Sequence, residues 1–151
     1  MWVEVLFWLY LGAAAFWDIK TRTVPRTLLL MGGLLGFSVR LAALAAGRSG
    51  TAELCSRYLP GFLLGAVLLA AARFSPESVG TGDGLCLLSC AFWTGWETLF
   101  LLLLGAMTLC ALGGSLILRC RKMSLKTGLP FLPFLWAAES VRLFAALIGQ
   151  V

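Results

Sequence analysis

Two aspartates carry the chemistry this chain could do. Asp18 ends the apolar stretch A13-A-A-F-W-D-I-K20, and Asp83 stands among glycines in S78-V-G-T-G-D-G84, just ahead of another apolar run. The 151 residues contain no other aspartate. Each one alone has a local reading. Asp18 can be a polar residue ending a helix, and Asp83 a helix N-cap whose charge suits the N-terminal dipole. As a pair at the edges of apolar runs they ask for more, because an ionisable group near hydrocarbon is costly unless it faces a polar cavity or a partner.

Two carboxylates brought together cannot both ionise easily, so such a pair shares a proton. The ionised member can take a proton from water as that water attacks a peptide carbonyl, while the protonated member donates to the carbonyl oxygen. This chemistry needs no metal, no cofactor and no nucleophilic serine. The chain has no histidine, which excludes Ser-His-Asp and Cys-His mechanisms. With no histidine and no C-x-x-C pair, a structural zinc site is not expected either. Gly80, Gly82 and Gly84 would let an extended substrate backbone come close to Asp83; their other reading is a flexible loop.

The elements that must position these carboxylates are membrane helices. The chain is 60% hydrophobic and 13% charged, with a mean hydropathy of +0.94, so its favoured solvent is a bilayer. An all-α, polytopic membrane protein is expected, folded as one membrane-embedded domain over residues 1–151. Six spans are predicted: Trp2 to Trp17, Thr27 to Ala46, Tyr58 to Ala72, Leu85 to Trp96, Thr98 to Leu118, and Phe131 to Ile148. The fourth is short, about 18 Å against a hydrocarbon core of roughly 30 Å, and so must extend through Glu97, tilt little or be shielded by neighbours. The alternative is one helix from Leu85 to Leu118, with five spans in all. The T94-G-W-E97 interruption favours two helices. The N-terminus lacks a basic n-region and carries Glu4, so it is expected to be a retained span rather than a secretory signal.

The five cysteines are odd in number and lie mostly inside apolar runs, which argues against a disulfide framework. Cys86 and Cys90 share a helix face and read as small packing residues. The net charge of +5 comes from basic residues in short loops beside apolar runs, with no aromatic-basic platform, so no nucleic-acid partner is expected. The loops after the first, third and fifth spans hold Lys20, Arg22, Arg26, Arg73, Arg119, Arg121, Lys122 and Lys126; those after the second and fourth hold only Arg48 and Arg57. Arg40 and Arg142 fall within spans. By the positive-inside rule the odd loops face the cytoplasm and both termini lie outside. Asp18 and Asp83 then meet the same, cytoplasmic, face. The basic residues from Arg119 to Lys126 are expected to orient the chain and touch anionic lipid, with contact to substrate as the alternative.

At this point the residues resemble a family. G80-T-G-D83 is similar to the G-x-G-D signature of intramembrane aspartyl proteases. D18-I-K-T-R-T-V-P25 is similar to the aspartate-to-proline segment of the type IV prepilin peptidases, which include the preflagellin peptidases. The tail L129-P-F-L-P-F-L135 resembles the Pro-Phe-x-Pro-Phe stretch that opens the last helix of that family. The resemblance implies a helical membrane protease that cuts the short basic leader from prepilin-like precursors at the cytoplasmic membrane face. It implies Asp18 and Asp83 as the catalytic pair and Gly80 and Gly82 as the glycines of the second motif. Leu85 stands where many members have lysine, and Arg26 where many have asparagine, positions that bear on substrate preference and activity. Larger members carry an additional N-terminal region with a cysteine-rich loop associated with methylation; from its start and its lack of C-x-x-C, this chain is expected to be a peptidase without methyltransferase activity. The competing expectations are a small proton- or ion-coupled transporter subunit, a Ser124/Lys126 protease, and an inactive pilus-assembly scaffold derived from the peptidase.

Overall fold

The computed structural model describes residues 2–47, 50–74, 80–121 and 130–149, with backbone alone at 114 and 116–121. Arg48, Glu77, Lys122, Ser124 and Lys126 lie outside the described residues, as does Leu129 at the start of the tail segment. Among the described residues there are six α-helices: α1 (Trp2–Thr21), α2 (Arg26–Ala45), α3 (Thr51–Phe74), α4 (Thr81–Trp93), α5 (Trp96–Arg121) and α6 (Leu132–Ile148). The chain is an all-α membrane protein. Among the described residues four helices are long and apolar enough to cross a bilayer: α1, α2, α3 and, over Trp96–Gly113, α5.

α1, α3 and α5 run past the apolar stretches that announce them, because backbone hydrogen bonding continues where hydropathy stops; α4 does so only at its start and ends at Trp93, short of the expected Trp96. α1 extends beyond Trp17 to Thr21, which places Asp18 inside its last turn. α3 starts seven residues ahead of the expected Tyr58, at Thr51, and carries Pro60 within it. α4 begins at Thr81 rather than Leu85, so its first turn contains Asp83. Between α4 and α5 the chain turns extended at Thr94 (φ −121, ψ 151), giving two helices rather than one long one.

The described chain forms two compact units. The first comprises residues 1–22 and 101–151, the second residues 23–100. In the first, α1 and α6 lie antiparallel. The Trp8 indole donates to Ser140 Oγ at 2.8 Å and its ring lies 5.3 Å from that of Trp136. Near one end of the pair, Arg142 grips the fully buried Glu139 with two bonds, 2.8 and 2.7 Å, and reaches Glu4 at 3.5 Å. α5 meets the same α6, where a Cβ on Gly105 would lie 3.4 Å from the Ala138 Cβ.

In the second unit the short α4 is held between α2 and α3, and this explains how thirteen residues can be so largely buried. Lipid gives helices no hydrophobic reason to associate, so small residues that let backbones approach supply the packing. A Cβ on Gly65 of α3 would fall 2.7 Å from the Leu88 Cα, and one on Gly84 of α4 would fall 2.9 Å from the Leu69 Cα. These two glycines are where α3 and α4 touch backbone to backbone. On the other side, the Trp93 indole donates to Gly32 O of α2 at 2.8 Å. Arg40 of α2 donates to the carbonyls of Phe92 (3.1 Å) and Trp93 at the end of α4, its guanidinium 4.8 Å from the centre of the Tyr58 ring. A cation there suits the negative end of the helix dipole.

Candidate active site

The first site segment is built by the way α1 stops. The Arg22 N–H donates to Asp18 O at 2.8 Å, and Arg22 itself is left-handed (φ 52), the geometry of an αL helix cap on a non-glycine residue. Thr21 Oγ1 donates to Trp17 O at 2.8 Å and tightens the same turn. Pro25, extended at φ −60 and ψ 125, precedes α2, and its carbonyl accepts from Leu28 N at 3.0 Å. The D18-to-P25 segment is therefore one helix end and the next helix start. It leaves Asp18 only 7% exposed, with Oδ2 accepting from the Leu132 backbone N–H at 3.2 Å. The first motif and the tail segment, 114 residues apart, meet at that bond.

The second segment is the start of α4. Gly80, extended at φ −67 and ψ 134, occupies the cap position, and its carbonyl accepts from Asp83 N at 3.0 Å and Gly84 N at 3.2 Å. Asp83 is thus the third helical residue rather than the cap, half-buried, with its negative charge in the turn where the helix dipole favours it. Its carboxylate lies back over Gly80, where an added Cβ would be 3.0 Å from Oδ2. Gly82 differs from its neighbour. A Cβ there meets nothing within 4 Å among the described residues. Gly80 makes room for the carboxylate, and Gly82 leaves room beside it.

Asp18 belongs to the first unit, and Gly80, Gly82 and Asp83 to the second. Among the described residues no group of three or more Asp, Glu or Cys side chains is gathered as a metal site. Cys86 and Cys90 are buried on α4, at 0% and 1% exposure, as packing residues of that helix. Leu85 is half-buried in the same helix. The charged pair that sequence reasoning passed over is Glu139 with Arg142, whose i, i+3 spacing inside an apolar run was the available signal.

A family model, that of the type IV leader peptidase family, matches residues 5–115. The matched stretch includes Asp18, Gly80, Gly82 and Asp83 and ends before the tail segment. No curated protein and no solved structure gives a significant match.

Proposed function

The chain belongs to the type IV leader peptidase family, and from that membership we propose that it is a membrane aspartic endopeptidase that removes the short basic leader from prepilin-like precursors. The observation that carries this proposal is that one family match spans both aspartate segments. Two further features support it. Each aspartate stands at a helix end rather than in mid-helix, where a transport carboxylate would be expected. Each is also tied to a motif-specific backbone feature, the left-handed Arg22 turn for Asp18 and the bare Cα of Gly80 for Asp83.

In the proposed reaction Asp18 and Asp83 share one proton. The ionised carboxylate takes a proton from water, the water oxygen bonds to the scissile carbonyl carbon, and the protonated carboxyl gives its proton to the carbonyl oxygen. A neutral gem-diol results. Its collapse breaks the C–N bond, with the electron pair passing to nitrogen. The nitrogen takes the proton won from water, and a diol hydroxyl returns its proton to the other carboxylate. The products are the leader's carboxylic acid and the amine of the mature chain. Gly82 gives the substrate backbone access beside Asp83. The bias of basic residues toward the odd loops orients this chemistry to the cytoplasmic face of the cell membrane, with both termini outside.

Cleavage of a co-expressed prepilin-like precursor by wild type, Asp18→Asn and Asp83→Asn tests the proposal. Processing by wild type and by neither variant, at equal membrane expression, is expected. Processing that survives in either variant would remove that aspartate from the mechanism.

A further inference from the structure

The tail segment L129-P-F-L-P-F-L135 supplies no group to the proposed peptidase reaction, yet its Leu132 touches one of the two carboxylates. We infer that the first turn of α6 is the positioning device of Asp18, with the Leu132 amide fixing Oδ2. The inference rests on Asp18 being catalytic. A helix start offers several unpaired N–H groups, which would ordinarily let a carboxylate choose among them. Here the choice is narrowed. Phe131 takes the cap position with no side-chain bond to the turn. Pro133 has no N–H to offer. The amides of Phe134 and Leu135 turn inward to Phe131 O, at 3.1 and 3.3 Å. Among the helical residues of the turn that leaves the Leu132 N–H without a partner in the turn, and Asp18 Oδ2 accepts it at 3.2 Å.

The surroundings hold that geometry. Leu132 and Leu135 are each 1% exposed, so the turn is anchored on both sides of Pro133. The antiparallel register of α1 against α6 is pinned independently at Trp8–Ser140 and at Glu4–Arg142. A carboxylate held at Oδ2 presents Oδ1 to water and to the shared proton in one orientation, and a restraint on a reacting group acts on the rate of the chemical step more than on substrate binding. Pro133 is therefore a positioning residue, acting through the Leu132 amide on Asp18.

The test uses the full chain in lipid nanodiscs and two readouts. Hydrogen exchange at the Leu132 amide, followed by NMR, should be slow in wild type and in Asp18→Asn, which keeps an acceptor oxygen. It should be roughly tenfold faster in Asp18→Ala, as the loss of one hydrogen bond to a charged group implies. Equal rates in wild type and Asp18→Ala would overturn the inference. Pro133→Ala adds a competing N–H and loosens the turn; kcat for a prepilin-like precursor should fall roughly tenfold with KM within about twofold, since orientation and not binding is disturbed. An unchanged kcat would likewise overturn it. If Pro133→Ala does not reach the membrane, Pro133→Ser, which likewise restores an N–H at that position, carries the kcat and KM comparison. Fast exchange in Asp18→Ala with no cleavage of any precursor by wild type would sink the peptidase proposal and leave the Asp18–Leu132 contact as a helix cap, overturning its positioning role.

Discussion

The Asp83 carboxylate lies over the bare Cα of Gly80, so close that a Cβ on Gly80 would be 3.0 Å from Oδ2. This contact separates the two glycines that flank Thr81. Gly80→Ala must displace the carboxylate, whereas Gly82→Ala meets nothing within 4 Å among the described residues. Both variants should insert and fold as wild type does. Gly80→Ala should lose cleavage by about tenfold or more through a misplaced reacting group. Gly82→Ala should lose it only through obstruction of substrate, seen as a raised KM with kcat retained. A Gly82→Ala enzyme with unchanged KM would remove Gly82 from substrate approach.

The α3–α4 contact predicts a stability effect free of catalysis. Gly65→Ala drives a methyl to within 2.7 Å of the Leu88 Cα, an atom that moves only with its helix. Overpacking of that kind costs about 1–3 kcal/mol. Gly105→Ala, whose added carbon would find the Ala138 Cβ at an ordinary 3.4 Å, should be neutral or slightly stabilising. Thermal unfolding in detergent, read by loss of helical signal, compares the two.

Glu139 is wholly buried and takes two bonds from Arg142. Removing Arg142 strands the buried Glu139 carboxylate, so Arg142→Met should destabilise by about 3–5 kcal/mol, whereas Glu139→Ala leaves the part-exposed Arg142 with Glu4 and should cost less. Replacing both, as Glu139→Leu with Arg142→Met, should restore much of that loss. Chemical denaturation of the single and double variants measures the coupling. A double variant no more stable than Arg142→Met would contradict the buried-pair origin of the effect.

Arg40 serves the end of α4 by donating to Phe92 O and Trp93 O. Arg40→Met keeps the stem but leaves those carbonyls without their donor, at a cost of about 1–3 kcal/mol. Arg40→Lys restores the charge but cannot reproduce the fork, and should fall between the two. Melting temperatures ordered wild type, lysine, methionine are the expected result.

Helix number and membrane class were legible in the sequence, because a bilayer forces every buried backbone group into a helix and so writes each helix as an apolar run. The break at T94-G-W-E97 was legible too, and with it the separation of α4 from α5. Helix ends were less so. Asp18 and Asp83 were expected at the edges of apolar runs, and both lie inside helical turns, since hydrogen bonding carries α1 on to Thr21 and starts α4 at Thr81.

What the sequence by itself determined is which residue types are at hand for chemistry: two aspartates, no histidine, and glycines at Gly80 and Gly82. What only the tertiary structure decided is what each of them touches. Nothing in the order of residues announces that Leu132 donates to Asp18 across 114 positions, that Arg142 reaches back to Glu4, or that Arg40 ends α4. Hydropathy depends on composition along a segment, and it survives any rotation of a helix about its axis. A hydrogen bond between helices depends on that rotation and on axial register, and these are set by where glycines such as Gly65 and Gly84 let two backbones close.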